Sequence, residues 1–122
     1  MPDSARVRAF IALVENGHYV QAIEKFYHPD ASMQENTSAP RFGREALVAH
    51  EKKVLAGLKA MKTRRVDKLL VDGDHVVINW VFEMTGADGA TRILDELALQ
   101  TWDGDRIRRE RFYYDPSQLR QS

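Results

Sequence analysis

The chain contains no cysteine, which excludes disulfides, thiolate metal sites and cysteine nucleophiles together. It also lacks net charge, since eighteen basic residues balance eighteen acidic ones. The electrostatic footprint of a nucleic-acid or anionic-membrane partner is therefore missing. No stretch approaches the roughly 20 apolar residues of a membrane span, and MPDSARVRAF carries no apolar run of signal-peptide length. A cytoplasmic protein is expected, and the glycosylation sequon Asn36-Thr37-Ser38 is read as chance. Among the seven glycines there is neither a phosphate-cradling loop nor a nucleophile elbow, so nucleotide-dependent and serine-hydrolase chemistry fail. No pair of histidines has metal-ligand spacing, so neither a metal site nor a cofactor is expected.

What is present is an ordinary globular composition, 43% hydrophobic and 30% charged over 122 residues. That length fits one domain, 1–122, with one core. No repeat, linker or low-complexity tract divides it. Val7, Phe10, Ile11 and Val14 recur at helical spacing after Asp3 and Ser4 as candidate caps, and Asn16-Gly17 ends that helix. A second helix is predicted from about Tyr19 to Tyr27, closed by Pro29, with Val20, Ile23 and Phe26 or Tyr27 on its apolar side. A short strand over Ala31–Glu35 and a loop through Pro40 lead to a third helix, Arg44–Leu58, with its stripe on Leu47, Val54 and Leu58.

From Thr63 the period becomes two. Arg65–Val71 reads as a strand, and Asp72-Gly73-Asp74, Ala87-Asp88-Gly89 and Asp103-Gly104-Asp105 read as turns between further strands. Val76, Ile78, Trp80, Phe82 and Met84 share one face. In RIRRERFYYD, residues 106–115, Glu110, Phe112 and Tyr114 share another. A carboxylate between aromatics needs a reason: a solvated face with incidental rings, or a pocket that uses an acid. Helices followed by antiparallel strands give an α+β domain with helices on one face of a sheet.

This order, with KFYHPDASMQ after the second helix, RFGREAL opening the third and WDGDRIRRERFYYD at the end, resembles the SnoaL-like proteins of the nuclear-transport-factor-2-like superfamily. The resemblance implies a cone-shaped, cystatin-like roll, three N-terminal helices packed on the concave face of a strongly bent, mainly antiparallel sheet. It also implies an apolar cavity at the open end. Relatives include steroid isomerases, polyketide cyclases, epoxide hydrolases and non-catalytic binding domains, so the site must decide the function.

By comparison with ketosteroid isomerases, the general base falls at Glu35, the second pocket acid near Ala98, and the oxyanion tyrosine near Phe10 or Ile11. One acid is kept and both oxyanion donors are absent, which argues against steroid isomerisation. In this register Glu96, Ala98 and Gln100 face inward, and Glu110 lines the mouth of the cavity.

Glu35, Glu96 and Glu110 are therefore the candidate catalytic carboxylates, because desolvation gives a carboxyl group a useful affinity for protons near neutral pH. The competing reading pairs Glu96 and Glu110 with Arg106, Arg109 or Arg111 as cross-strand salt bridges. Met33, His50, Trp80, Phe82, Gln100, Trp102, Phe112 and Tyr114 are the candidate ligand contacts. Aromatics at strand spacing are packing first, and His50, on the helix stripe, is expected to bond a neighbouring acid. His28-Pro29-Asp30 matches a chaperone tripeptide by coincidence, since those domains are all-helical. The functional expectation is a cofactor-free isomerase, cyclase or hydratase acting on an apolar cyclic or polyketide-like molecule. A non-catalytic binding domain for an apolar ligand or a protein partner is the alternative. Leu97, Leu99, Val77 and Val81 are expected on the convex face, where a homodimer would cover them.

Overall fold

A computed structural model describes residues 1–120; of the side chains of Arg65 and Asp67 nothing is stated. The described residues form three α-helices, α1 (Ser4–Glu15), α2 (Tyr19–Phe26) and α3 (Arg44–Ala56). Six strands follow or interrupt them: β1 (Tyr27–Glu35), β2 (Arg41–Phe42), β3 (Leu58–Asp72), β4 (His75–Gly86), β5 (Thr91–Asp103) and β6 (Arg106–Tyr113). A short 3-10 helix, Pro116–Leu119, ends the described chain.

α1 forms where the apolar spacing demands it, and its stripe Val7, Phe10, Ile11 and Val14 is buried. Asp3 accepts a bond from the Ala5 amide at 2.9 Å and supplies the N-cap. At the other end Gly17 adopts φ +81°, a left-handed conformation that suits glycine. α2 stops one residue earlier than expected. Tyr27 is already extended, and Pro29 lies inside the irregular stretch of β1 between Tyr27 and Ser32 rather than just beyond a helix. α3 also ends early. Leu47 is core and Val54 half-buried, while Leu58 opens β3 instead of completing the helical stripe.

The strands make one mixed sheet in the order β2-β1-β6-β5-β4-β3. Every neighbouring pair is antiparallel except β1 and β6, which run parallel. β3 is much longer than its predicted core and carries irregularities between Thr63 and Arg65 and between Val66 and Lys68. Such irregularities sharpen the local twist, and opposite them Trp80, Val81 and Phe82 are buried in succession. Val81, expected on the outer face, is thus only 2% exposed, because alternation fails where the sheet bends.

Elsewhere the two faces separate cleanly. Val76, Ile78, Trp80, Phe82, Leu94 and Ala98 join the helices in one core. Phe10 is its hub, in edge contact with Phe26, Tyr27, Trp80 and Trp102. On the convex face the register aligns Leu70, Val77 and Leu99 in one row and Leu97 and Tyr113 in the next. All but the half-buried Val77 are exposed. No helix among the described residues is long and apolar enough to cross a membrane.

Candidate active site

Sheet and helices enclose a cavity of about 340 Å³. Its inner end is buried and aromatic, formed by Phe10, Tyr27, Trp80 and Phe82. Its outer end carries the half-buried Glu35, Arg41, His50 and Tyr114. α3 contributes one wall through His50, Glu51 and Val54.

The three expected carboxylates all face this space. The strand register accounts for their positions. β1 and β6 pair Met33 with Glu110 and Glu35 with Phe112, while β4 and β5 pair Trp80 with Glu96. Residues paired across strands share a face, so Glu110, Phe112 and Tyr114 line the cavity as the two-residue period predicts. The cross-strand salt-bridge reading does not hold among the described residues. Arg111 donates to the Asn36 carbonyl and lies over the Tyr113 ring, and Arg108 pairs with Asp103.

Glu110 is 1% exposed and forms part of the floor rather than the mouth. One carboxylate oxygen accepts from the Tyr27 hydroxyl. The other accepts from Gln100 Nε2 at 2.7 Å, and Gln100 Oε1 in turn accepts from Trp102 Nε1 at 3.0 Å. Burial pushes the Glu110 carboxyl up to about 7, with the bonds from Gln100 and Tyr27 pulling the other way. The same burial, with the adjacent Glu110 charge, drives the Tyr27 hydroxyl well above its ordinary range. All the donors in this chain point toward Glu110. Gln100 and Trp102, expected as ligand contacts, are correctly on the inner face but lie behind the floor and do not line the cavity. Phe10, packed edge-on against Trp102, stands among the residues in front.

Glu96 is 7% exposed, and its carboxyl receives no hydrogen bond from any described residue, the Asn79 amide donating instead to its backbone carbonyl. Burial first, and then the charges of Glu110, Glu35 and Glu51, push its carboxyl up to about 8. Met33, His50, Trp80, Phe82, Phe112 and Tyr114 line the cavity as expected. His50 makes no bond to an acid among the described residues. Burial, Arg41 and Lys53 lower its proton affinity, with Glu35 opposing them.

Four polar lining residues escaped sequence reasoning: Tyr19, Tyr27, Arg41 and Glu51. Glu51 was within reach, because it stands four residues after Leu47 and three before Val54, on the stripe itself. Burial and the Glu35 charge raise its carboxyl too. From the sequence Tyr27 reads as part of the apolar side of the second helix, although a buried hydroxyl requires a partner. Arg41 sits on the two-residue β2, too short for any period to reveal.

A family model described as the SnoaL-like domain matches residues 7–110. The chain belongs to the SnoaL-like domain family. No curated protein matches it. Among solved structures, a candidate SnoaL-like polyketide cyclase from Mesorhizobium loti is 26% identical, with a TM-score of 0.79 over 93% of this chain and 100% of that one. TerC, crystallised with polyporic acid, is 19% identical with a TM-score of 0.80, covering 94% and 92% of the two chains. A Catenulispora acidiphila protein of ketosteroid isomerase-like fold, in complex with trimethylamine, is 20% identical with a TM-score of 0.80, covering 98% and 91%. This SnoaL-like chain thus shares its cystatin-like α+β roll with proteins that hold small organic ligands.

Proposed function

We propose that this SnoaL-like protein is a small-molecule enzyme that moves protons on an apolar cyclic or polyketide-like substrate, in an isomerisation, cyclisation or hydration. The observation that carries the reading is the pair Glu96 and Glu110, two carboxyls held near neutral titration inside one apolar cavity. Glu96, with no partner, is the group that exchanges a proton with the substrate. Glu110, fixed by Tyr27 and Gln100, is the second acid–base group, and Glu35 serves the outer end. The ligands held by TerC and the Catenulispora protein support a small organic substrate.

Deuterium uptake at the carbon beside the carbonyl of a bicyclic aryl ketone, followed by NMR in heavy water, tests the chemistry. Wild type should accelerate exchange, and Glu96→Gln should lose about 10²-fold or more. A ketone that shifts the cavity resonances yet exchanges at the background rate would sink the enzyme. That result would favour the second reading, a binding domain, which draws support from the engagement of the floor hydroxyl, Tyr27, with Glu110.

The exposed row on the convex face supports a homodimer through the sheet. Light scattering at micromolar concentration should give twice the chain mass, and a monomer would refute it.

A further inference from the structure

The charge inventory of the cavity is lopsided. Glu35, Glu51, Glu96 and Glu110 face it, against Arg41 and His50. Burial and Arg41 disfavour the charged form of His50, which leaves Arg41 as the standing positive charge of the lining. An acidic cluster alone would say little, but Glu96 is more than a member of one. It is 7% exposed, lines the cavity, and its carboxyl has no hydrogen-bond or ion-pair partner among the described residues. A buried polar group normally has one, and a buried charge normally has a counter-charge. Directly across the strand pair lies Trp80, whose ring stacks on Phe82 with centroids 5.6 Å apart. Aromatic faces attract cations.

We propose that the cavity takes an organic cation, an apolar body bearing a protonated amine, seated with its N–H donating to Glu96 beside the Trp80 and Phe82 rings. This rests on the cavity being the ligand site, as proposed above, and not on turnover. An anionic ligand would meet four carboxyls and find only Arg41, at the outer end. A neutral ligand would leave Glu96 to find its counter-charge in a proton.

The amine takes the place of that proton. Below about pH 8 the empty site holds Glu96 in its neutral form, so binding the cation expels the carboxyl proton to solvent. Affinity should therefore rise with pH up to about 8 and fall again once the amine itself loses its proton. The groups that share the cavity with Glu96 are Glu110 on β6, Tyr114 just past it, Tyr27 and Glu35 on β1, Arg41 on β2, His50 and Glu51 on α3, and Tyr19 on α2. Glu110, Glu35 and Glu51 are the ones whose charges raise it, and a cation among them favours ionisation of Glu96.

Three probes of one shape test the idea on the full chain: N,N-dimethylbenzylamine as the cation, N,N-dimethylbenzamide as the neutral form and phenylacetate as the anion. Amide-resonance titrations should show the amine binding about tenfold or more tighter than either of the others. Its affinity should increase between about pH 6 and 8, and calorimetry in two buffers of different ionisation heat should detect proton release. Glu96→Gln should remove the advantage of the amine and the proton release, while binding of the benzamide persists. Glu51→Gln should weaken the amine less. If the benzamide binds as well as the amine, the cation is refuted while the cavity remains a ligand site. If none of the three perturbs the cavity resonances, the cation falls, and the cavity loses its support as a binding site for molecules of this size.

Discussion

On the floor of the cavity the Glu110 carboxyl accepts bonds from Tyr27 and Gln100, whereas on the wall beside Trp80 the Glu96 carboxyl accepts none from a described residue. The two residues are chemically identical and almost equally removed from water, and the charge of Glu110 bears on Glu96. Burial raises both carboxyls, to about 7 on the floor, where donated bonds oppose it, and to about 8 on the wall, where the charges of Glu110, Glu35 and Glu51 add to it. Burial disfavours both ionised forms, and only donated hydrogen bonds restore some of what water provided. The floor is a finished structural device whose donor chain reaches back through Gln100 to Trp102. The wall is an open valence. A fold can place two acids in one cavity and make one a fixture and the other a receptor, simply by supplying or withholding donors.

The largest test of this contrast is the pH dependence of stability. Both carboxyls hold protons in the folded protein at pH values where an unfolded chain, titrating near 4.5, has released them. Their contribution is therefore complete below about 4.5 and lost as pH rises through 7 and 8. Urea unfolding should show wild type losing on the order of several kcal/mol between about pH 5 and pH 9, and Glu96→Gln should flatten much of that slope. Equal slopes in the two proteins would mean that Glu96 is solvated.

A smaller effect should separate floor from wall directly. Glu110→Gln offers an amide where the Tyr27 and Gln100 donors both require an acceptor, and it should cost about 1–3 kcal/mol at about pH 6. Glu96→Gln at the same pH should be close to neutral, since it replaces a protonated acid that lacks a partner. If the two changes cost the same, the donor chain contributes nothing. The smallest effect is a titration. Gln100→Leu removes a bond that favours the Glu110 carboxylate, so carboxyl-carbon NMR should find Glu110 about one pH unit higher and Glu96 little changed. A Glu110 that stays put would identify Tyr27 as its sole effective donor.

Much of this arrangement was legible before the fold was known, because the pleat enforces a two-residue alternation. Glu96, Glu110, Phe112 and Tyr114 reach the cavity on that rule once the family resemblance says which face is inward, and Val7 through Val14 pack on the helical rule. The rules give a face and not a depth, so Gln100 and Trp102 sit on the right side of the sheet yet behind the floor. They fail where geometry is irregular: Val81 is buried at the bend opposite the β3 irregularities. They also fail where two neighbours compete for one helical face, as His50 and Glu51 do, since both reach the lining. The partner of Tyr27 was out of reach for another reason. Glu110 is 83 positions away, and only the parallel pairing of β1 with β6 brings it near.

That pairing has a consequence for biosynthesis. β6 is the last of the described strands to be translated, yet in the sheet it lies between β1 and β5. A ribosome-bound chain that lacks it has two fragments, β2-β1 and β5-β4-β3, with no hydrogen bonds joining them. The facing rims of those fragments present unpaired backbone groups, the template on which strands of other nascent chains can add. Closing them requires contacts across most of the chain length, the kind that forms late and slowly. The cavity floor and the seam of the sheet are therefore completed in one event, and until the final strand emerges the polypeptide is both siteless and open at two edges.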